Sequence, residues 1–310
     1  MTFKDILKNF EPFPKKDFRN LKDLKKISKF TLLSKDGKKY DIRNNLNNLS
    51  GSEWTYFLNS VEVTNYPVKG ENSFLHNIRK QHPSPKPPQL LKKIIEFFSK
   101  EGDWILDPFM GVGGTLIGAS LAKRNAVGID INPKYLKIYN EVCDKLKLKK
   151  QISINEDARN IPFIFKNYEE FFDLILTDPP YANMMAKIRT GEKAKKKGKY
   201  KTPFSNSKKD IGNLSYFDYL KELKNIIAGT LPFLKPKGHL IIFCKDLQPN
   251  DTHHNMLHAD ITSKLLELPK LKFRGYKIWY DKSQKLYPFG YPFKYVSNQL
   301  HQFILIFQKE

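Results

Sequence analysis

Short apolar runs alternate with segments of helical periodicity through the middle of this chain of 310 residues, and this alternation constrains its fold most strongly. A repeated strand-helix order predicts a parallel sheet covered by helices on both faces. Sheets of this kind bind ligands at the carboxyl ends of their strands. Strands are expected at 104–106, 126–129, 152–154, 172–176 and 239–244, with helices near 115–124, 133–147 and 216–233.

The last part of the chain predicts a change of strand direction. A helix is expected near 258–268, followed by strands at 273–280 and 302–308 that form an antiparallel pair closing one edge of the sheet. The aromatic turn 287–293 separates these two strands and is expected to pack against them. The predicted fold class is therefore α/β, mostly parallel with a reversed strand at one edge.

Two parts of the chain depart from the alternation. Residues 1–80 lack a long amphipathic period and predict an accessory segment, whereas residues 81–310 predict the main domain. A proline cluster at 82–88 precedes a helix near 89–98. The basic loop 182–215 interrupts the main domain, and a long loop of this kind is usually functional or disordered.

Charge and composition narrow the class of protein. The formal net charge of +22 favours a polyanionic partner, although the excess of lysine over arginine also suits an AT-rich coding sequence and a merely solvated basic surface. No apolar run reaches the length of a membrane span, which predicts a cytoplasmic protein. Cys143 and Cys244 lack ligand spacing and are expected to be buried thiols, so neither a metal site nor a disulfide is expected.

A glycine turn follows the first of the central strands. Glycines at 111 and 113 let the backbone approach a ligand closely, but Leu116 stands where a dinucleotide-binding turn needs a third glycine. A carboxylate at Asp107 would repel a phosphate and attract a cation, which favours S-adenosylmethionine as the ligand. The candidate ligand-binding residues in this turn are Asp107, Pro108, Phe109, Gly111, Gly113 and Thr115.

Two more acidic residues follow neighbouring strands. Asp130 is placed to accept hydrogen bonds from ribose hydroxyls, and Asp157 could accept from an adenine amino group. A single acidic residue at a strand end is more often a helix cap. Three of them after successive strands favour a ligand site.

The tetrapeptide Asp178-Pro179-Pro180-Tyr181 ends a further apolar strand. A carboxylate, two rigid prolines and an aromatic ring can form a pocket that binds a planar amine. The alternative is a strand that simply ends at Asp and two prolines, with a tyrosine packed nearby. The glycine turn about seventy residues earlier makes this alternative the weaker one.

These motifs together resemble the amino-group DNA methyltransferases, which modify adenine N6 or cytosine N4. The resemblance covers about residues 82–308, through His82-Pro83-Ser84-Pro85-Lys86-Pro87, the glycine turn, Gly128-Ile129-Asp130 and the tetrapeptide. It implies a Rossmann-like sheet with a reversed last strand. It also implies that the proline segment, with Lys86, the glycine turn and the acidic strand end bind S-adenosylmethionine, without a metal.

The resemblance further implies a role for the tetrapeptide. Asp178 and the Pro179 carbonyl would accept the two N–H groups of the target amine, and Tyr181 would stack on a base flipped out of the duplex. Asp rather than Ser at position 178 favours adenine over cytosine. An RNA base methyltransferase and a non-catalytic nucleic-acid-binding module are the alternatives.

Double-stranded DNA is the expected partner, with a cognate restriction endonuclease possible and a nucleoid-associated cytoplasmic location. The candidate segments for target recognition are residues 1–80, the basic loop 182–215 and the aromatic turn 287–295. Lys195, Lys196 and Lys197 in the basic loop could reach phosphates around the target, and a solvated mobile loop is the alternative.

Overall fold

The structure is a computed structural model that describes residues 2–181, 207, 209–246 and 256–310. The strands are β1 (Lys25–Lys26), β2 (Thr31–Leu33), β3 (Lys39–Asp41), β4 (Val61–Thr64), β5 (Trp104–Asp107), β6 (Asn125–Asp130), β7 (Ile152–Asn155), β8 (Phe172–Thr177), β9 (Leu234–Cys244), β10 (Leu271–Asp281) and β11 (His301–Lys309). The helices are α1 (Phe3–Lys8), α2 (Gly51–Phe57), α3 (His76–Arg79), α4 (Pro88–Phe98), α5 (Gly114–Leu121), α6 (Pro133–Leu146), α7 (Ile161–Ile164), α8 (Tyr216–Thr230) and α9 (Leu257–Leu265). Each strand and helix expected between 89 and 308 is present with its ends moved by a few residues.

Eight strands form one sheet in the order β4-β10-β11-β9-β8-β5-β6-β7. Only β11 runs against the others, since it pairs antiparallel with both β10 and β9. The fold class is therefore confirmed: the sheet is Rossmann-like and mostly parallel, with one reversed strand. The expected antiparallel pair does not end the sheet, because β4 from the N-terminal segment pairs with β10 and lies outside it.

Helices cover both faces of the sheet, and each face has its own apolar cluster. Helix α4 shows how the sequence produces this packing. Pro88 stands in its first turn, where the missing N–H costs nothing, and its buried residues recur at helical spacing. The central strands are buried on both sides, as parallel strands between two helical layers must be.

The N-terminal segment packs at the amino ends of the parallel strands. The Phe13 N–H donates to Asn125 Oδ1 at 2.7 Å at the start of β6, and Asp17 forms an ion pair with Lys100 just before β5. Asn47 Nδ2 donates to the Phe97 carbonyl at the end of α4, 2.6 Å away. These contacts place residues 10–50 at the edge opposite to the one where α/β sheets bind ligands.

The chain then passes from the amino edge of the sheet to its carboxyl edge through β4, which runs parallel to β10. Residues after Thr64 therefore lie near the carboxyl ends of the strands. Target recognition by residues 1–80 stays a prediction, and only their last part lies near the candidate site. Among the described residues, no helix is long and apolar enough to cross a membrane.

Candidate functional site

The glycine turn and the tetrapeptide meet at the carboxyl edge of the sheet. Asp107 ends β5 and Asp130 ends β6, while Asp178 directly follows β8. The hydroxyl of Thr177 donates to Asp107 Oδ1 at 2.7 Å, so the two motifs are joined by a hydrogen bond. The sheet therefore brings together residues that lie seventy positions apart in the chain.

The backbone of the glycine turn packs closely against neighbouring residues, as its two glycines predict. Gly113 has a φ of +74°, and a Cβ atom there would lie 2.2 Å from the Tyr139 ring. Gly111 has a φ of +49°, and its N–H donates to Asp130 Oδ2 at 2.9 Å. The turn thus holds an acidic side chain from the next strand against its own backbone.

The two carboxyl groups at the strand ends have perturbed acidities. Burial raises the pKa of Asp107 to about 6, against the opposing hydrogen bonds from Thr115 and Thr177. Burial also raises the pKa of Asp130 to about 7, although the N–H groups of Asn132 and Gly111 favour its charged form. A buried carboxylate is stabilised by a cation or by hydrogen-bond donors, so this end of the site suits a cationic or hydroxyl-bearing ligand.

Asp157 follows β7 and has a structural role. Its Oδ1 accepts from the Arg159 N–H at 3.0 Å and caps the 3₁₀ turn Ala158–Asn160, while its Oδ2 pairs with Arg159 Nη1 at 2.8 Å. This is the helix cap that the alternative predicted. Asp157 nevertheless lines the same pocket as Asp130, and its contact with an adenine amino group stays a prediction.

Two adjoining pockets lie between the glycine turn and the tetrapeptide, and they share His82, Phe109, Gly111 and Asp178. The first also contains Asp130 and Asp157, and the second contains Lys86 and Asp107. The further residues that line the first pocket include Pro108, Asn132, Tyr135, Glu156, Pro180 and Asp210, and those of the second include Ser84, Met110, Thr115 and Phe243.

Asp178 is paired within the protein. Its Oδ2 lies 2.5 Å from Lys86 Nζ, and its Oδ1 accepts from the Tyr181 hydroxyl at 2.6 Å. Lys86 Nζ also donates to the Tyr181 hydroxyl at 3.0 Å and lies 5.6 Å from the centre of the Phe243 ring. Lys86 was predicted to bind the cofactor. The structure places its ammonium group at Asp178, at the border of the second pocket.

Tyr181 is buried, with 3% of its surface exposed. Burial, and then the adjacent Asp178, raise the pKa of its hydroxyl well above the usual value. To stack on a base, the ring would have to leave its hydrogen bonds to Asp178 and Lys86. The expected stacking role therefore does not correspond to the conformation in this structure, where Tyr181 orients the Asp178 carboxylate.

His82, Asp210 and Gln302 are three of the site residues that were not predicted. His82 borders both pockets, and burial lowers its pKa to about 3, so its ring is neutral. Asp210 is buried and accepts from the Gly212 N–H at 2.8 Å, and Gln302 Oε1 accepts from the Tyr181 hydroxyl at 3.3 Å. Only His82 had a signal in the sequence, as the first residue of the proline segment. Lys195, Lys196 and Lys197 lie outside the described residues.

Parts of this chain are similar to known methyltransferases. Residues 8–141 match the family model described as DNA methylase, and residues 98–202 match an RMKL-like methyltransferase domain. A Type II methyltransferase from Streptococcus pneumoniae is 50% identical over 58 residues, which are 19% of this chain and 22% of that protein. A tRNA (guanine(10)-N2)-dimethyltransferase from Methanocaldococcus jannaschii is 31% identical over 144 residues, 44% of this chain and 40% of the relative.

Among solved structures, TrmN from Thermus thermophilus is similar with a TM-score of 0.48 and 18% identity, over 77% of this chain and 53% of that one. The strand order, with its one reversed strand, is the Rossmann-like arrangement that the sequence resemblance implies. The part of the chain with the proline segment, the glycine turn and Asp130 is similar to the DNA methylase family, in agreement with the resemblance. The matched segments of the two relatives span well under half of those proteins.

Proposed function

We propose that this protein transfers a methyl group from S-adenosylmethionine to the exocyclic amino group of a flipped-out base at specific sites in DNA, with adenine N6 preferred and cytosine N4 second. The observation that carries this proposal is the position of Asp178. Its carboxylate borders both pockets of the site, beside the glycine turn and within the pocket that contains Asp130. Asp178, the proposed acceptor for the amine, thus lines the pockets that would hold the cationic cofactor.

The residues present fit the cofactor. Gly111 borders both pockets, Asp130 would accept from ribose hydroxyls, and Asp107 would face the positively charged end. Bound there, S-adenosylmethionine supplies an already activated methyl group on a sulfonium. No metal is needed for this chemistry.

Asp178 would act on the amine itself. The lone pair of an adenine or cytosine amino group is delocalised into the ring, so the nitrogen must be drawn towards tetrahedral geometry. A carboxylate that accepts one N–H, with the Pro179 carbonyl accepting the other, has this effect, and a hydrogen bond to a charged acceptor contributes about 1.5–3 kcal/mol. Lys86 and Tyr181 hold the carboxylate in place. Alignment of the amine with the methyl group would provide most of the remaining acceleration.

RNA is the second candidate substrate. The tRNA dimethyltransferase relative matches a longer part of this chain than the Type II DNA methyltransferase does, 144 residues against 58. The name of that relative gives guanine N2 as its target, and this exocyclic amino group would need the same charged acceptor that Asp178 provides. DNA is preferred because the matching family model is that of DNA methylases.

One experiment separates the candidates. The protein is expressed in a host that lacks DNA methylation, and modified bases are mapped across its DNA and RNA. N6-methyladenine at a repeated sequence is the expected result. N4-methylcytosine would select the second base, and unmodified DNA with methylated RNA would select the RNA substrate. No methylation of either would refute the proposal, provided that the purified protein binds S-adenosylhomocysteine.

The expected partners and location of the protein follow from the same proposal. The net charge of +22 supports double-stranded DNA as the partner, and the Type II relatives support a sequence-specific enzyme. A cognate restriction endonuclease and a cytoplasmic, nucleoid-associated location stay predictions. An endonuclease that cuts the mapped sequence only when it is unmethylated would establish the first.

A further inference from the structure

The connection between β10 and β11 exposes an unusual number of aromatic rings. We call residues 286–295 the aromatic loop. It contains the exposed side chains of Leu286, Tyr287, Phe289, Tyr291, Phe293 and Tyr295, of which Tyr291 is 80% exposed and the last two are 92% exposed. The expectation that these rings pack against the strand pair is therefore wrong. A dense exposed apolar cluster marks an interaction surface.

The backbone of the aromatic loop is folded on itself. The side chain of Asn298 closes it, since its Oδ1 accepts from the Tyr287 N–H at 2.8 Å and its Nδ2 donates to the Tyr287 carbonyl at 2.9 Å. The Gly290 carbonyl accepts from the N–H groups of Phe293 and Lys294, both at 2.8 Å. The rings thus project from a closed turn, which lowers the entropy lost when a partner binds them.

The aromatic loop lies at the carboxyl edge of the sheet, because β10 ends there and the reversed β11 begins there. Residues that flank the loop on both sides line one cavity with Tyr181, and one of them contacts the tetrapeptide. Gln302 accepts from the Tyr181 hydroxyl, and a cavity of about 530 Å³ is lined by Asp281, Gln302, Tyr181 and Lys86 among others. This volume is within the range of roughly 300–1,000 Å³ for small-ligand sites. The loop therefore lies at the same edge of the sheet as this cavity, whose lining includes Lys86 and Tyr181, the two residues that hold Asp178.

The charge around the aromatic loop indicates the kind of partner. Between positions 282 and 300 the sequence has three lysines, Lys282, Lys285 and Lys294, and no Asp or Glu. Aromatic rings beside lysines suit single-stranded nucleic acid, in which every base offers a face for stacking and every phosphate a charge. An anionic lipid surface has similar chemistry. The position of the loop at the edge of the sheet that carries Asp178 favours nucleic acid.

We infer that the aromatic loop stacks on unpaired bases that adjoin the target nucleotide, while its lysines neutralise nearby phosphates. This inference rests on the proposed function and assigns the contact with unpaired nucleic acid to a described segment of the chain. It has a direct consequence for affinity. The protein binds a duplex with a central bubble of unpaired bases more tightly than a fully paired duplex of the same length.

A double substitution tests the inference. Phe293→Ala with Tyr295→Ala removes two exposed rings without opening a cavity, and Tyr56→Ala removes a ring that is 84% exposed on α2 as the matched control. Fluorescence anisotropy measures binding to the bubble and to the paired duplex. Stacking is worth about 1–3 kcal/mol per base, so losing one stacked base lowers affinity for the bubble about 5- to 150-fold. Affinity for the paired duplex changes less, and Tyr56→Ala binds both as the wild type does.

Two results would overturn the inference. The first is a double variant that binds the bubble as tightly as the wild type does. The second is a loss of binding only to vesicles that contain phosphatidylserine, with nucleic-acid binding unchanged. The proposed function is tested separately, by methyl transfer and by S-adenosylhomocysteine binding. A wild-type protein that prefers the bubble through these rings yet methylates neither DNA nor RNA would refute the function and leave the loop assignment in place.

Discussion

The ammonium group of Lys86 lies 2.5 Å from the carboxylate of Asp178, although 92 positions separate the two residues in the chain. Lys86 comes from the proline segment before α4, and Asp178 comes from the end of β8. The carbonyl of Lys86 is held in turn by the buried guanidinium of Arg79. The proline segment therefore positions the proposed catalytic carboxylate as well as lining the cofactor pocket.

Replacement of Lys86 tests this positioning role. Lys86→Met keeps the volume of the side chain but leaves Asp178 without its charged partner, and we expect kcat to fall at least about tenfold, the effect of about 1.4 kcal/mol. Lys86→Arg should retain more activity, because it keeps the charge. Initial rates of methyl transfer measure both, and thermal unfolding checks that the variants are folded. Equal rates for Lys86→Met and the wild type would show that Asp178 needs no partner.

Removal of the Asp178 carboxylate separates chemistry from cofactor binding. In Asp178→Ala we expect S-adenosylhomocysteine to bind with an affinity within a few fold of the wild type, because Asp107, Asp130 and the glycine turn are intact. Methyl transfer should fall below detection, since the amine has lost its charged acceptor. Calorimetry and a single-turnover assay measure the two properties. Retained methyl transfer would contradict the role assigned to Asp178.

The acidity of Asp130 predicts the pH dependence of cofactor binding. Its pKa of about 7 in the folded, ligand-free protein is above its ordinary value of 3.8, so burial disfavours the charged form. Hydroxyl donors from a ribose favour that charged form, and affinity for S-adenosylhomocysteine should therefore rise as the pH increases from about 5 to about 8. Calorimetry over this range measures the rise. In Asp130→Asn it should be much reduced, and an unchanged profile would exclude Asp130 as its source.

The raised pKa values of Asp107 and Asp130 also affect the stability of the fold, which changes with pH in the opposite direction to cofactor affinity. Asp107 and Asp130 have pKa values of about 6 and about 7 in the folded protein, so the folded state binds more protons than the unfolded state between pH 4 and 7. Their contribution to the free energy of unfolding therefore falls as the pH rises through this range.

Gly113 tests the close packing of the glycine turn. In Gly113→Ala the new methyl group meets the buried Tyr139 ring at 2.2 Å, and the residue must keep a φ of +74°. We expect a loss of about 2–5 kcal/mol in the free energy of unfolding. Gly37→Ala is the control, since its φ is +81° and nothing lies within 4 Å of the added atom. It should cost only about 1 kcal/mol of backbone strain. Equal losses in urea titrations would show that the Tyr139 contact is unimportant.

The lysines of the basic loop give a prediction about salt. Replacing Lys195, Lys196 and Lys197 with Gln should weaken DNA binding and flatten its dependence on salt, by up to about 0.9 in the logarithmic slope for each lysine that contacts a phosphate. Lys22, Lys25 and Lys26, replaced in the same way, are the control at the far edge of the molecule. An unchanged slope in the loop variant would refute phosphate contact by these residues.

Local patterns in the sequence predicted most of the main domain. Apolar periodicity predicted the central strands and helices. The two glycines predicted a closely packed turn, which Gly113 makes against Tyr139. Long-range pairings were not predictable in this way. Lys86 contacts Asp178, Gln302 contacts Tyr181, and β4 pairs with β10. Each of these pairings joins distant parts of the chain, so no local sequence pattern indicates it. The burial of Tyr181 was not predictable for the same reason, since it depends on residues from several elements.

The packing of the N-terminal segment at the amino edge has a practical consequence for labelling. The turn around Asp36 and Gly37 joins β2 to β3 on that far side, and both native cysteines, Cys143 and Cys244, are buried. A cysteine introduced at Asp36 would be the accessible thiol for a dye or a surface linker. Molecules immobilised through it would present the carboxyl edge of the sheet, with the proposed site, to the solution, where single binding events could be recorded.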